Sequence, residues 1–581
     1  MEHMDKKTLS RMIDSAMHRI PADLVIYNCH VVDVYTGTVR RDAIAVTDGL
    51  IVGFGDDYQG REMIDAKGAY AAPGLIDAHI HIESSYTSPE EFARMVVPRG
   101  TTTVIADPHE IVNVYGLDGF IYMVRAAEKV ELSVRYMVPS CVPATSLEDS
   151  GASVNAFDIQ WPMSNRHVPG LGEFMNYPGI LNQEEDAINK LLVAMNMHKV
   201  IDGHSPALRG AALNAYAAAG IRTDHECTCV SEMLDRLQRG MYVQLRDGSA
   251  CHDLKTLIPA ITPFNYKRCL LCSDDRQPKT ILESGHIDNH LRMLVRSGID
   301  PVMAVCMASL NSAECYHLED RGALAPGKRA DIVLFDNLED FRAQAVFIEG
   351  KRVAEDGQYL LPIEKAPISS VRGSIHVKPF GVDQLRMHLK SDRVRAIGIV
   401  KDGVSTTSEV VTVRRDEDGD FIFDPAQSVV KIAVLERHHN TGKIGLGLLK
   451  HYGIRRGAVA LSVAHDSHNI ICVGVSNDEM YAAIQALIEQ EGGFVLVEDG
   501  KVIASLPLPI AGLMSDLPGE EVAERLKALH DTAYERLGVS RDVEPIMTLC
   551  FMSLIVIPSL KISTRGLFDV TKFDFVPLEA D

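Results

Sequence analysis

Between Gly74 and about Arg276 the chain alternates short apolar runs with segments of helical periodicity, and no other feature constrains the fold as much. Strands separated by helices cannot be hairpin partners. They lie parallel, each joined to the next by a helical crossover. Eight runs read as strands, at 75–82, 102–106, 133–141, 170–174, 200–203, 221–225, 242–245 and 268–273. Helical stretches at 89–98, 118–129, 183–197, 208–218 and 230–239 fall between most of them. Eight parallel strands close a (β/α)8 TIM-type barrel. Only 147–166 breaks the rhythm, and a loop over the barrel mouth is expected there.

The flanks differ in character. Residues 5–18 pattern as an amphipathic helix suited to packing or a dimer contact, and short β-type runs follow at 23–27, 43–46 and 50–55. Further β-type runs occur near 332–335, 345–348 and 351–353. The expected fold class is therefore α/β: a barrel, a discontinuous small β-sandwich and a separate C-terminal α/β domain. The expected boundaries are an N-terminal helix at 1–20, a composite sandwich at 21–73 plus 324–365, the barrel at 74–323, a linker near 364–370 and the C-terminal domain at 370–581. A chain of 581 residues is too long for one core, which agrees with several domains.

With 46% hydrophobic and 24% charged residues the composition is that of a soluble globular protein. A net charge of −21 argues against a nucleic acid or an anionic membrane as partner and suits a small neutral or cationic substrate. No apolar run approaches the roughly 18 residues of a membrane span, and residues 1–19 lack the apolar core of a signal peptide. A cytoplasmic location is expected, with the eleven cysteines as buried thiols rather than disulfides.

Barrel active sites lie at the carboxyl ends of the strands. In Pro73-Gly74-Leu75-Ile76-Asp77-Ala78-His79-Ile80-His81, two histidines two residues apart on a strand point to one face. The fourth strand ends in Glu173, the fifth in His204, the sixth in His225 and the eighth in Asp274. Any one of these histidines is more often a satisfied core or loop residue than a ligand. Six ligand-type residues at matching strand ends are not explained that way. They suffice for two divalent ions if Glu173 bridges, with His79 and His81 on one ion and His204 and His225 on the other. Such a pair shares a water and yields hydroxide near neutral pH. Asp274 would ligate one ion, take the proton and pass it to the leaving group.

The same motifs, together with Ala106-Asp107-Pro108-His109-Glu110-Ile111, Asp202-Gly203-His204-Ser205-Pro206, Ser273-Asp274-Asp275-Arg276 and the C-terminal Ala464-His465-Asp466-Ser467-His468-Asn469, resemble the bacterial adenine deaminase family of the amidohydrolase superfamily. The resemblance implies hydrolysis of adenine to hypoxanthine and ammonia by a hydroxide bridging two metal ions, as in purine salvage or adenine catabolism. It implies Mn2+ or Fe2+ in preference to Zn2+, Glu173 where many relatives carry a carboxylated lysine, and a homodimer or higher homo-oligomer. Substrate contacts are expected among Glu83, Ser84, Asp107, His109, Glu110, Arg246 and Asp247, each of which serves equally well as a loop hydrogen bond or cap. Asp247 departs from the family, where Arg-Glu-Gly-Ser is expected in place of Arg246-Asp247-Gly248-Ser249. His465 and His468 are expected to reach the barrel mouth as a lid, to hold an additional metal, or to form a loop packed elsewhere. Two other readings stay open: an amidohydrolase acting on another purine or cyclic amide, and a non-catalytic barrel scaffold.

Overall fold

The computed structural model describes residues 4–401 and 403–580. Asp5 caps a helix at Lys6–Ala16 by accepting from the Thr8 amide at 2.7 Å. Ser15, on the buried face of this helix, reaches the Thr47 hydroxyl at 2.8 Å, so the helix packs on the chain's own first sheet.

That sheet is nine-stranded and built from both flanks of the barrel. Strand Tyr70–Pro73 runs between Ala22–Asp33 and Ile332–Phe335, pairing antiparallel with the latter so that Pro73 faces Ile332. Leu75 opens the first barrel strand two residues later. The sheet thus ties the entry of the barrel to the segment that leaves it.

The eight barrel strands are Leu75–Ile80, Thr101–Ala106, Ser133–Tyr136, Gly170–Phe174, Val200–Gly203, Thr223–Asp224, Tyr242–Arg246 and Cys269–Cys272. The first is buried at every position, as a strand covered on both faces must be. Gly74 is required for its approach to the second strand, since a Cβ there would lie 2.1 Å from Thr102 Oγ1. The ring closes where the Asp274 amide donates to the His79 carbonyl at 3.0 Å. Asp77 reinforces the seam. It accepts from the Ser273 amide at 3.1 Å and hydroxyl at 2.5 Å, and lies 3.0 Å from His286 Nε2.

Besides the sixth strand, which shrinks from 221–225 to Thr223–Asp224, three elements differ from the sequence reading. The first strand stops at Ile80, and Ile82–Ser85 is a 3-10 turn. The third strand ends at Tyr136, well short of residue 141. Residues 109–115, read as loop, form a helix that places His109 and Glu110 in its first turn.

The stretch after residue 360 is irregular but anchored. The Ala366 amide donates to Glu90 of the barrel at 2.6 Å, and the Ala511 amide donates to the Val371 carbonyl at 2.7 Å. Beyond it lies an eight-stranded sheet with helix Asn477–Glu489 packed on its strands. Two of its strands, Thr406–Thr412 and Ile444–Lys450, and the helix Gly519–Thr532 were not read from the sequence. This unit sits directly on the barrel: the Ser515 amide donates to the Tyr86 carbonyl at 2.8 Å, and Arg94 pairs with Glu520. No helix among the described residues is long and apolar enough to cross a membrane.

Candidate metal centre and its roof

Glu173 lies at the middle of the barrel mouth, with Gly172 before it. A Cβ at Gly172 would fall 2.2 Å from Asp107 Oδ2, and this close approach lets Asp107 accept the Glu173 amide at 2.9 Å. The carboxylate so held faces five imidazoles. Its Oε2 is 3.0 Å from His225 Nε2, 3.2 Å from His204 Nδ1 and 3.6 Å from His79 Nε2. Its Oε1 is 3.6 Å from His109 Nδ1 and 3.9 Å from His81 Nε2. Asp274 Oδ1 approaches His81 Nε2 at 3.2 Å and His79 Nε2 at 3.8 Å. All six residues named from the strand ends converge here, and all are buried.

The donor atoms suit divalent cations. His79–His81–Asp274, His79–Glu173–His225, His81–His109–Glu173 and His204–His225–Glu226 each bring their ligand atoms within 4.8 Å of one another. His79 Nε2 is buried without a hydrogen-bond partner, at distances from two carboxylates that fit a shared ion better than a direct bond. His81 Nδ1 contacts the Asp107 carbonyl at 2.9 Å. A carbonyl only accepts, so the proton sits on Nδ1 and the Nε2 lone pair faces the cluster, the usual orientation of a metal-binding histidine. Burial pushes the His79 imidazole well below its ordinary value. For Glu173 burial acts upward, but His204 and His225 outweigh it and hold the carboxyl well below its usual range.

Arg246 ties the far side. Its Nη1 donates to Glu226 Oε1 at 2.5 Å and to Asp274 Oδ2 at 2.8 Å, while Nε and Nη2 bind Asp253 at 3.0 and 2.9 Å. Asp274 has a left-handed backbone, φ 56°, which aspartate tolerates better than most residues.

The cavity above the cluster is lined at its base by His81, His109, Glu173, His204, His225 and Asp274, with Glu110 and Arg246 also on its wall. Glu83, Ser84, Asp107 and Asp247 do not line it. Asp107 supports His81 and Glu173, Ser84 donates to Asp275 Oδ1 at 2.5 Å, and Glu83 accepts the Ile111 amide at 3.2 Å. Asp247 faces His252 at 3.2 Å and Arg276 at 3.5 Å, away from the centre.

The roof comes from the C-terminal unit: Val404, His465, Asp466, Phe551, Leu554 and Ile557 all line the same cavity. His465 Nδ1 meets Glu110 Oε1 at 2.5 Å, and its ring stacks on Phe551 at 4.6 Å between centroids. His468 Nε2 bonds the other Glu110 oxygen. Because His468 Nδ1 accepts the Ala464 amide at 3.2 Å, the proton sits on Nε2 and no lone pair remains there for a cation. Glu110, His465 and His468 therefore form a hydrogen-bonded clasp between barrel and roof. The irregular barrel segment adds a second one, with Glu148 accepting from Ser467 at 3.0 Å and the Asp149 carbonyl accepting from Asn469 at 2.7 Å. Glu226, Asp275 and Asp466, to which the sequence reading assigns no role, each directly follow a histidine or aspartate named for the site, and that adjacency is the one signal that points to them. Phe551, Leu554 and Ile557 carried no signal.

Comparison with known proteins agrees with this arrangement. Residues 70–353 match the amidohydrolase family, and residues 404–574 match the adenine deaminase C-terminal domain. Adenine deaminase 2 of Desulfotalea psychrophila is 55% identical over 99% of this chain and 100% of its own length. Adenine deaminase of Ligilactobacillus salivarius is 49% identical with complete coverage of both chains, and that of Nitratidesulfovibrio vulgaris is 47% identical over 98% of each. The chain, a metal-site barrel roofed by a second domain, belongs to the adenine deaminase family.

Proposed function

We propose that this protein hydrolyses adenine to hypoxanthine and ammonia. The observation that carries the reading is Glu173, set among five imidazoles at 3.0–3.9 Å at the base of a cavity roofed by the C-terminal unit, in a chain whose full-length relatives are named adenine deaminases. His79, His81, Glu173, His204, His225 and Asp274 are the proposed holders of two divalent ions, with His109 and Glu226 within reach of the same centre. The ligand set combines imidazole and carboxylate without thiolate, which suits Mn2+ or Fe2+. Bound there, such a pair lowers the pKa of water and supplies hydroxide near neutral pH.

The remaining chemistry falls to the side chains. Water oxygen bonds to purine C6 and the C6–N6 bond breaks. Asp274 takes the water proton and hands it to N6, which leaves as ammonia. Arg246 anchors the Asp274 oxygen opposite His81, so the carboxylate keeps its aim through the transfer. The apolar roof of Phe551, Leu554 and Ile557 excludes bulk water and strengthens these charge interactions.

Ammonia release from adenine by protein loaded with Mn2+ or Fe2+, run beside other purines and cyclic amides, tests the reading. Activity confined to another member of the panel reassigns the substrate. Absence of bound metal and of any turnover restores the scaffold reading.

The finer organisation follows the same reading. The proposed units are the helix at 1–20, the composite β-sandwich at 21–73 plus 324–365, the barrel at 74–323 and the C-terminal domain at 370–581. The eleven free thiols suit a reducing cytoplasm. Phe157 and Trp161, exposed at 78% and 64%, offer an apolar surface for a homo-oligomer, which light scattering would detect.

A further inference from the structure

The loop that crosses from the C-terminal domain into the cavity carries an unused hydrogen-bonding group. Asp466 is only 3% exposed and lines the cavity wall, yet its Oδ2 has no partner. Its Oδ1 stands 3.8 Å from His109 Nε2, beyond hydrogen-bond reach. A buried carboxylate oxygen left unpaired is costly, and native structures rarely keep one without a function. The loop around it is firmly held by the Glu110 clasp on His465 and His468, by the His465–Phe551 stack and by Glu148 on Ser467. Such anchoring fixes the direction of Asp466 before any ligand arrives.

None of the four ligand groupings at the cluster includes Asp466, so the partner sought for this carboxylate, which accepts only, is a hydrogen-bond donor. Adenine has donors at two ends, the exocyclic amine on C6 and the imidazole-ring N–H. The amine belongs at the metal-ligand cluster, where C6 reacts. A single imidazole, His109, separates the Asp466 carboxylate from Glu173. A flat purine with C6 on the cluster therefore turns its imidazole edge toward the roof.

We propose that Asp466 Oδ2 accepts the ring N–H of the purine, so that the C-terminal domain selects a free base over an N9-substituted one. This inference rests on the reading that adenine is the substrate. His465 acts as a positioning residue: it holds the loop through Glu110 and presses its ring against Phe551. An N9 substituent removes the donor and also collides with the roof, so both terms favour the unsubstituted ring.

The test is equilibrium binding of adenine and of 9-methyladenine to the Mn2+-loaded full chain carrying Asp274→Asn, which blocks turnover, with Asp466 either wild type or substituted, and with ammonia release measured in parallel on the chain that keeps Asp274. Wild-type protein should favour adenine by more than about 100-fold. Asp466→Ala removes the acceptor and opens space, so adenine affinity should fall about 10–100-fold while 9-methyladenine holds or gains. If Asp466→Ala does not fold, Asp466→Asn keeps the shape and one neutral acceptor, and adenine affinity should fall about 5–10-fold. Equal binding of the two bases by wild type overturns the inference, as does discrimination unchanged within about twofold in a folded, metal-loaded variant. Discriminating binding without ammonia release would instead sink the deaminase reading and leave the role of Asp466 standing.

Discussion

Arg246 uses one nitrogen to bind two carboxylates of the candidate centre, Asp274 at 2.8 Å and Glu226 at 2.5 Å. Burial acts to raise the Asp274 carboxyl. The His81 contact and the Arg246 charge outweigh it and bring the group well below its usual range. Arg246→Gln removes one of these and leaves three acids crowded together. The expected result is an acid limb of the kcat/KM profile displaced to higher pH, with a loss of about 10–100-fold at neutral pH. A profile superimposable on wild type would show that Arg246 only packs.

Asp274→Asn keeps the shape of the side chain and removes its basicity. Metal content should stay near wild type while ammonia release falls about 10²–10⁴-fold, the usual range for a lost general acid–base group. Loss of metal in step with activity would make Asp274 chiefly a ligand.

Glu173→Gln should act the other way round, with metal occupancy falling first. Glu173 is the one carboxylate common to both His79–Glu173–His225 and His81–His109–Glu173. Elemental analysis checks occupancy, and chelation of the wild type should lower Tm. A ligand held at 100 times its Kd contributes about 2.7 kcal/mol to stability.

Lys561 provides a pH test away from the centre. It is fully buried, donates to the Val404 and Phe551 carbonyls at 2.8 and 2.9 Å, and burial pushes its ammonium down from 10.5 to about 7. Between those values the unfolded chain holds the extra proton, so stability rises with pH across the window from about 7 to 10.5. Below about pH 7 the whole penalty is present, of the order of 5 kcal/mol. Lys561→Met should flatten the rise in Tm between pH 7 and 10. An undiminished slope assigns it to other groups.

The barrel and the cluster of imidazoles and carboxylates at its mouth were legible because each obeys a local rule. Parallel strands buried on both faces form continuous apolar runs, and His79, His81, Glu173, His204, His225 and Asp274 stand where such runs end. The helix His109–Tyr115 was hidden by Pro108, which reads as a loop signal but here precedes the first turn. Strand Ile444–Lys450 was masked by two glycines. Gly445 is there because a Cβ would meet the Ser563 carbonyl at 1.9 Å, and a demand for space made by a distant segment has no local periodicity. The roof was illegible for the same reason. Phe551, Leu554 and Ile557 look like any apolar residues until the chain folds back over the barrel.

The clasp between Glu110 and His465 joins residues 355 positions apart. At ordinary rates of synthesis, roughly 5–20 residues per second, the ribosome needs about 20–70 s to travel from one to the other. Even after Asp274, the last of the clustered side chains, has been made, His465 of the roof lies a further 191 positions along the chain. One cavity is thus walled by residues from opposite ends of the barrel-to-roof order of synthesis, and its upper wall cannot form before the segment 404–557 has been made.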